Sequence, residues 1–379
     1  MKVLVLATDY PNPQGNKNLM YIHMRDIYYM ECGLDVTVLN FKSSVDYTQD
    51  GIRVISLNTY KKSDTRYDVL VSHASNIRNH YVFLKRFGKR FSKIIFVYHG
   101  HEVLPLSEYP KPYSYMPRAN AVMAGLQRVY DHFKLFVWRK YIPRVIERSR
   151  LIFVSEWMKE QFFRWTRIDP AMVEKHSTVI YNAIGQSFEK ASYKADSEKQ
   201  YDCITIRSNL DGSKYGIDIV NEIAKNNSEL RFLVVGKGKY FKHFQKADNV
   251  EWISNTLSHE EMLKYLNLSR CALMPTRYDA QGLMACELAG YGMPLITSDI
   301  PVCSEIFSGM RNVAYISNTD LNTDLSVIIS RLESFSYQPD ERFFGRNTVM
   351  KEVELIKSIS NDVSDCKKVE EAQEKIGVG

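Results

Sequence analysis

The sequence lacks several features that would place it in a specialised class of protein. Its 379 residues contain no run of about 18 uncharged apolar residues, the length that a membrane-spanning helix needs. The six cysteines form no CxxC pair and no cluster with zinc-ligand spacing, which disfavours a disulfide framework and a zinc site. Isolated cysteines in apolar segments are typical of reduced core thiols in a cytoplasmic protein. The first residues, MKVLVLATDYPN, have too short an apolar run for a signal peptide and predict a buried strand.

Short apolar runs alternate with longer mixed segments in both halves of the chain. KVLVLA, DVTVLN, YDVLVSH, KIIFVYHG and RLIFVSE are such runs in the first half, and DCITIRS, LRFLVVG, CALMPT, PLITS and VAYIS follow in the second. Nearly continuous apolar strands separated by helical segments are typical of parallel sheets built from βαβ units. The sequence therefore predicts an α/β protein with two Rossmann-like, doubly wound lobes facing across a cleft.

The division between the predicted lobes is a polar segment without periodicity, GQSFEKASYKADSEKQ. We predict a first lobe over residues 1–185, a linker over 186–200 and a second lobe over 201–340. A helical pattern follows over 341–358. Residues 359–379 form a polar tail to which we assign no chemistry.

Two carboxylates, Asp279 and Glu287, lie around a predicted helix start in the stretch RYDAQGLMACE. Asp279 follows a predicted strand, and ligands of parallel α/β lobes bind at the carboxyl ends of strands beside helix N-termini. Gly282 and Leu283 would open the helix with outward-pointing N–H groups, and the glycine would let a phosphate approach closely. A carboxylate can also accept the two hydrogen bonds of a vicinal diol such as a ribose. Taken alone, however, two acids at this spacing are more often solvated charges.

Two cations occupy a similar place at the start of the second predicted lobe. In IRSNLDGSKYGIDIV, Arg207 ends a strand and Lys214 precedes the next helix. A lysine near a helix N-terminus opposes the helix dipole, so folding explains it poorly. A diphosphate explains both residues, because arginine binds it bidentately and lysine adds a point charge. A pair of solvated loop cations is the alternative.

Together these motifs resemble those of the family-4 retaining glycosyltransferases of GT-B architecture. IRSNLDGSKYG is similar to the family pattern RxxxxxxKG, and PTRYDAQGLMACELAGYGMPLITSD is similar to PSxxEGFGLxxxEAMACGxPVIxSD. FLVVGKG, VIYNAIG, YHGHE and VSEWMK resemble further family segments. The resemblance extends over nearly the whole chain to about residue 358, and it is most specific in the second lobe.

The resemblance implies a site for a nucleotide-sugar donor in the second lobe and an acceptor site in the first. Arg207 and Lys214 would neutralise the diphosphate of the donor. Gly282 and Leu283 would offer backbone amides to a phosphate or sugar oxygen. Glu287 would hold the ribose hydroxyls.

The resemblance also implies roles nearer the reacting sugar. Asp279 would lie beside the donor sugar ring, His99 would face it from the first lobe, and Gly15 would let the acceptor-side loop approach the diphosphate. The helix over 341–358 would cross back onto the first lobe. Three positions depart from the family pattern: Asp279 replaces a longer glutamate, Gly15 is what remains of a glycine pair, and Ala183 replaces a glycine. The shorter acid puts the identity of the sugar in doubt more than the activity.

His99 ends the predicted strand KIIFVYHG and is followed closely by His101 and Glu102. Strand carboxyl ends line the cleft, which favours a functional role, with a structural hydrogen bond as the alternative. We interpret His73, at the end of YDVLVSH, as structural. One histidine beside one glutamate does not make a metal site. The resemblance likewise implies no metal, so we expect no cofactor besides the nucleotide-sugar substrate.

The positive charge of the chain is concentrated in one region. Residues 78–150 hold 15 Lys and Arg against 4 Asp and Glu, and the net charge of the whole chain is +6. FLKRFGKRFSK and HFKLFVWRKYIPRVIERSR interleave aromatic and basic residues, so Lys134, Arg139, Lys140 and Arg144 are predicted to face anionic lipids of the membrane. A solvated basic helix is an equal alternative. RNA binding lacks any RRM, KH or OB signature. Family members often act on lipid-linked acceptors, which favours the membrane.

The sequence therefore predicts a metal-independent, retaining glycosyltransferase that moves a hexose-type sugar from a nucleotide-diphosphate sugar, with UDP favoured, to a glycan hydroxyl. The expected acceptor is a lipid-linked oligosaccharide of surface polysaccharide synthesis. The expected location is the cytoplasm, including the inner face of the cell membrane, and no nucleic-acid partner is expected. Two alternatives stay open: a non-catalytic GT-B subunit that binds a glycan or a partner, and a GT-B sugar-nucleotide epimerase.

Overall fold

The structure, a computed structural model, describes residues 1–117, 120–335 and 337–359 of the chain. Within them the strands form two separate sheets, one of eight strands and one of six. In the described residues no helix combines the length and the hydropathy needed to cross a bilayer.

The first sheet is parallel except for one hairpin at its edge. Its order is β3-β4-β2-β1-β5-β6-β7-β8, and only the β3–β4 pair is antiparallel. The strands are β1 Lys2–Ala7, β2 Asp35–Asn40, β3 Tyr47–Gln49, β4 Ile52–Ile55, β5 Val69–His73, β6 Lys93–Tyr98, β7 Ser149–Phe153 and β8 Ser177–Val179. The α-helices that accompany them are α1 Met20–Glu31, α2 Leu57–Lys62, α3 Val82–Phe87, α4 Ala121–Val145, α5 Glu156–Thr166 and α6 Pro170–Val173.

The second sheet is parallel throughout, in the order β11-β10-β9-β12-β13-β14. Its strands are β9 Tyr201–Asn209, β10 Phe232–Lys237, β11 Val250–Ile253, β12 Ser269–Met274, β13 Leu295–Ser298 and β14 Val313–Ile316. The helices are α7 Gln186–Glu189, α8 Ile217–Asn226, α9 Tyr240–His243, α10 His259–Asn267, α11 Leu283–Gly290, α12 Pro301–Ile306 and α13 Leu325–Glu333. A further helix, α14, covers residues 349–359.

Each sheet buries both of its faces, because successive side chains of a strand point to opposite sides. In β1, Leu4 and Leu6 belong to one apolar cluster, whereas Val3, Val5 and Ala7 belong to another. The strands of the second sheet divide between two clusters in the same way. This confirms the predicted α/β class with two doubly wound lobes. The strand order reverses between β1 and β5 and between β9 and β12, which is where such folds bind ligands.

The segments before and after the second lobe pack against the rest of the protein, unlike a plain linker and a polar tail. Within the predicted linker, Phe188 is buried in the second-lobe core. The predicted helix over 341–358 begins with two 3₁₀ turns, Glu341–Phe343 and Gly345–Asn347, before α14 starts. Val349 and Val353 of α14 then pack into the first-lobe cluster that contains β1. Of the predicted tail over 359–379, the first residue is buried and residues 360–379 lie outside the described part.

Candidate functional site

A cavity of about 350 Å³ lies between the lobes, at the carboxyl ends of the central strands. Both lobes contribute to its wall, which consists of Tyr21, His99, Val154, Asn182, Ile206, Arg207, Ser208, Lys214, Tyr215, Asp279, Gln281, Gly282, Leu283 and Met284. The structure thus brings together six of the residues that the sequence suggested for donor binding and chemistry. Glu287 and Gly15 are not part of this wall.

Arg207 carries a buried charge that the nearest acidic group, Asp279, attracts from beyond ion-pair distance. Its side chain leaves β9 and is only 8% exposed, and its Nη2 donates to the carbonyl of Pro275 at 2.7 Å. Its Nε has no hydrogen-bond partner, and no carboxylate of the described residues lies within ion-pair distance of this guanidinium. Burial lowers the pKa of Arg207. An anion bound in the cavity would supply the missing partner.

Lys214 is held beside Arg207 by an aromatic ring and a tight turn. The ring of Tyr215 lies 4.6 Å from the Lys214 Nζ and 5.1 Å from the Arg207 guanidinium carbon. The backbone N–H of Arg277 donates to the Lys214 carbonyl at 2.8 Å, which ties this turn to the segment after β12. Gly216 follows with φ of 62°, and a Cβ there would lie 3.2 Å from the Pro275 carbonyl oxygen. The turn therefore needs glycine before α8 begins.

The segment between β12 and α11 presents an acid and free N–H groups to the cavity. Asp279 accepts a hydrogen bond from the backbone N–H of Ala280 at 2.9 Å. Gly282 precedes α11, and no side chain caps this helix end. Gly282 and Leu283 both line the cavity, so the first N–H groups of α11 are available to an oxygen of a ligand.

His99 faces the same cavity from the first lobe and is fixed on several sides. Its ring nitrogen Nε2 hydrogen-bonds the Nδ1 of His73 at 3.2 Å, and its ring lies 4.5 Å from that of Tyr21. Glu102 accepts the backbone N–H of His99 at 2.7 Å. Burial, with a contribution from Arg25, holds the pKa of His99 well below its usual range. The imidazole is therefore neutral near pH 7 and can act as a hydrogen-bonding group.

The sequence reasoning missed a polar connection behind the cavity. Arg25 of α1 donates to the side chain of Asn182 at 2.5 Å, and Asn182 donates from its backbone N–H to Gln281 at 2.6 Å. Tyr21 lies one helical turn before Arg25 and also escaped notice. Gln281 lies inside the stretch RYDAQGLMACE, but a single glutamine carries no signal of its own. These contacts join residues up to 157 positions apart, so no local pattern could have revealed them.

Two predicted site residues lie outside the cavity wall. Glu287, on the second turn of α11, accepts a hydrogen bond from the Gly185 N–H at 3.2 Å, and burial raises its carboxyl pKa to about 7. Gly15 has φ of 95° in the loop after β1, and the space around a Cβ there would be open. Glu287 and Gly15 can therefore contact a ligand only if part of that ligand extends past the residues that line this cavity.

The basic helix α4 corrects one part of the predicted membrane-facing set. Lys134 does not face outward: its side chain is buried, its Nζ lies 3.1 Å from Asp131 Oδ1, and it donates to the carbonyls of His101 and Leu104. Lys134 lies on the buried side of α4 because three oxygen atoms there, one from Asp131 and two from backbone carbonyls, interact with its ammonium group. Arg139, Lys140 and Arg144 are exposed.

The exposed side of α4 is also apolar over most of its length. Val122, Leu126, Val129, Phe133 and Phe136 repeat at helical spacing and are each more than half exposed; we call this set the α4 stripe. A contiguous apolar stripe of this kind marks a contact surface more often than ordinary solvated helix.

Comparisons with known proteins agree with this geometry. Residues 204–333 match the family described as glycosyl transferases group 1. The chain carries a glycosyl transferases group 1 domain. This domain contains every second-lobe residue of the cavity wall, among them Arg207, Lys214 and Asp279.

Two curated relatives are similar in sequence. An uncharacterised 41.2 kDa protein in the cps region of Klebsiella pneumoniae is 23% identical over 229 residues, covering 56% of this chain and 63% of the relative. The O-antigen biosynthesis glycosyltransferase WclY of Escherichia coli is 26% identical over 162 residues, covering 39% of this chain and 44% of WclY. The chain thus matches less than two thirds of the length of these relatives.

Solved structures resemble the group 1 domain together with the first lobe. Sucrose-phosphate synthase of Thermosynechococcus elongatus superimposes with a TM-score of 0.64 at 14% identity, covering 98% of this chain and 99% of that one. Anabaena Alr3699/HepE, solved in complex with UDP and glucose, gives a TM-score of 0.60 at 11% identity over 97% of this chain and 100% of that one. Identities this low show the fold alone. The fold is the GT-B architecture that the sequence predicted.

Proposed function

We propose that the protein is a retaining glycosyltransferase of polysaccharide synthesis that uses a nucleotide-diphosphate sugar. The observation that carries this proposal is the buried, unpaired Arg207 beside Lys214, opposite His99 across a cavity of about 350 Å³. The names of two relatives, one in a cps region and one an O-antigen glycosyltransferase, support the polysaccharide context. The complex of HepE with UDP supports UDP as the nucleotide of the donor.

The second lobe would bind the diphosphate. Arg207 and Lys214 supply two positive charges, and the uncapped start of α11 supplies N–H groups for a phosphate oxygen. These groups would stabilise the negative charge that develops on the departing diphosphate, in a site where burial strengthens the electrostatic effect. This arrangement also supports metal-independent chemistry, because the protein itself provides the positive charge. Retention of activity in excess EDTA would test that part.

The reacting sugar would lie between Asp279 and His99. The acceptor hydroxyl would attack from the face that the diphosphate leaves, and a phosphate oxygen of the donor would take its proton, which fits a site whose histidine is held neutral. Asp279 would orient sugar hydroxyls and support positive charge at the reacting carbon. Glu287 would bind the ribose. The ribose hydroxyls would then donate hydrogen bonds to its carboxyl group in addition to the one from the Gly185 N–H.

The activity experiment uses the full chain and a panel of nucleotide sugars. We expect nucleotide release with one donor, faster when the glycan acceptor is added, and loss of at least about a hundredfold in kcat/KM for Lys214→Ala. Lys264→Ala, on the exposed side of α10 and outside the cavity wall, is the matched control. An epimerase would convert the donor without releasing nucleotide. A protein that neither releases nucleotide nor binds any donor would be the non-catalytic subunit, and the enzyme proposal would be wrong.

The acceptor side is proposed to work at an anionic membrane surface. The α4 stripe would enter the headgroup layer while Arg139, Lys140 and Arg144 contact anionic lipid. We expect flotation with anionic vesicles at low salt, and charge reversal of the three cations should weaken it. Reversal of Arg53, Lys61 and Lys62, which are exposed elsewhere on the first lobe, should have little effect. Equal flotation with neutral and anionic vesicles would contradict the electrostatic part.

A further inference from the structure

A second cavity, of about 600 Å³, lies within the first lobe between α4 and the end of α5. Four arginines line it: Arg128 and Arg139 from α4, and Arg164 and Arg167 from the end of α5. We call it the arginine pocket. Its volume falls in the range of small-ligand sites, and it is separate from the cavity between the lobes.

The arginine pocket holds an excess of positive charge that the protein does not balance. In the described part of the chain, none of its four guanidinium groups forms an ion pair. The carboxylate in its wall, Asp131, is already occupied: Oδ1 lies 3.1 Å from Lys134 Nζ, and Oδ2 accepts the Leu106 N–H at 2.9 Å. All four arginines are exposed to solvent, so water and salt screen their mutual repulsion and the fold tolerates them. Because no acidic group of the described residues pairs with them, they are free to bind a multiply charged anion.

One segment of chain joins the arginine pocket to the cavity between the lobes. His99 lines the cavity, and Pro105 and Ser107 line the pocket. Lys134 fixes the segment to α4 by donating to the carbonyls of His101 and Leu104 at 3.2 and 3.0 Å. Six residues span at most about 20 Å, so one extended molecule can reach from the pocket to the reacting centre.

The arginine pocket also borders the α4 stripe. Phe136 belongs to both, because it lines the pocket and is 58% exposed on the apolar side of α4. A ligand here would meet guanidinium groups and an apolar surface at adjacent positions. A phosphate group attached to a hydrocarbon chain has this combination of charge and apolar surface.

We propose that the arginine pocket binds the diphosphate group of a lipid-linked acceptor, with the lipid along the α4 stripe and the glycan directed towards His99. The proposal rests on the glycosyltransferase function given above. Free phosphate compounds and bulk anionic headgroups share part of this chemistry, and the experiment separates them.

The first measurement is calorimetric binding of inorganic pyrophosphate to the full chain, without donor or turnover. Arg164→Ala/Arg167→Ala, or Arg128→Ala/Arg139→Ala as an independent pair, should weaken binding by at least about tenfold. The matched pair Arg53→Ala/Lys61→Ala should leave it unchanged. Because pyrophosphate can also enter the cavity between the lobes, Lys214→Ala is included. Binding lost in Lys214→Ala but kept in both pocket pairs would overturn the proposal.

The second measurement identifies the source of the phosphate. Neutral phosphatidylcholine vesicles containing a polyprenyl diphosphate are compared with vesicles of equal charge containing phosphatidylglycerol. Only the Arg164→Ala/Arg167→Ala pair is used, because Arg139 also belongs to the proposed lipid-contacting set. This pair should lose flotation with the diphosphate vesicles by about tenfold and keep most of it with phosphatidylglycerol. Equal loss on both would assign the arginines to bulk headgroups and overturn the diphosphate assignment. If no nucleotide is released in the activity assay, the pyrophosphate-binding and flotation results still stand. The glycosyltransferase proposal and the diphosphate-binding proposal can therefore be refuted independently.

Discussion

Replacing Arg207 by methionine should stabilise the protein without ligand and abolish its response to the donor. The reason is the position of the charge: the guanidinium is 8% exposed, has one hydrogen bond to a carbonyl, and has an Nε without a partner. A residue that exists for the fold would be expected to have its charge paired. A residue that awaits an anion would be unpaired in the empty protein.

The expected size follows from these contacts. Removing the buried charge relieves a desolvation penalty of several kcal/mol. Losing the hydrogen bond to Pro275, the contact with the Tyr215 ring and the attraction of Asp279 offsets most of it. We therefore expect a net gain of about 1–2 kcal/mol in the free energy of unfolding. For a lobe of this size that corresponds to a rise in Tm of about 2–4 °C per kcal/mol. Loss of a bidentate contact to phosphate should weaken donor binding by about a hundredfold or more.

The assay is thermal unfolding with and without a nucleotide sugar, and Arg277 provides the matched control. Arg277 lies near Arg207 in the same lobe, but its guanidinium forms two hydrogen bonds with Asp218, at 2.8 and 2.6 Å, and one with the Ser213 carbonyl. Arg277→Met should therefore lower the stability of the empty protein by about 1–2 kcal/mol. The two arginine variants should move Tm in opposite directions.

The reasoning is refuted if Arg207→Met unfolds at a lower temperature than wild type in the absence of ligand. Such a result would mean that Arg207 supports the fold. A variant that gains stability but still shows the full donor-induced rise in Tm would locate the diphosphate elsewhere.

Three further predictions concern buried groups. Burial raises the pKa of Glu287 from 4.5 to about 7, so Glu287→Gln should stabilise the empty protein by up to about 3 kcal/mol at pH 8 and by little near pH 4.5, as denaturant titrations at both pH values would show. Gly236→Ala should destabilise the second lobe by about 2 kcal/mol or more and weaken donor binding, because its Cβ would lie 2.1 Å from the carbonyl oxygen of Arg207. His73 and His80 are buried and neutral, with the pKa of His80 lowered to about 3 by burial, so unfolding exposes groups that take up protons below about pH 6.5. The free energy of unfolding should then fall by up to about 1.4 kcal/mol per pH unit for each histidine as the pH drops from 6.5 to 5, measured by urea titration.

Each of these has a matched control. Glu160→Gln, on the exposed side of α5, should show no pH-dependent gain. Gly125→Ala places a Cβ in open space on α4 and should be neutral or slightly stabilising. His80→Gln should reduce the slope by up to about 1.4 kcal/mol per pH unit and leave the contribution of His73. A Glu287→Gln variant whose gain is the same at pH 4.5 and 8 would contradict the assignment of the raised carboxyl pKa.

The sequence predicted most central strands because they are buried on both faces and read as apolar runs. The core of β1, β2, β5, β6 and β7 was predicted in this way. The edge hairpin β3–β4 was missed, because β3 has three residues and none of them buried, and β4 has only four residues with a charged one among them. The turn at Asp50 and Gly51, where both φ values are positive, was the available signal.

The positions of the site residues could be predicted where the order of strands and helices determines them. The burial of individual side chains could not be predicted. Arg207, Lys214, Asp279 and Gly282 follow strands or precede helices of a parallel lobe, so their convergence follows from topology. The burial of Lys134 was not predictable, because it results from acceptors on a loop thirty or more residues away.

The buried polar chain behind the cavity explains why the C-terminal helix returns to the first lobe. Glu352 of α14 accepts hydrogen bonds from Arg25 at 3.0 and 3.2 Å, Arg25 donates to Asn182, and Asn182 donates to Gln281 at the cavity wall. All four residues are nearly excluded from water, so breaking one link would leave a buried charge or amide unsatisfied. A rotation of one lobe against the other would therefore have to break this chain or pivot about the link between Asn182 and Gln281. The segment between β12 and α11 is thus held to α1 of the first lobe through Asn182, and Arg25 in turn ties α1 to the C-terminal helix α14 through Glu352.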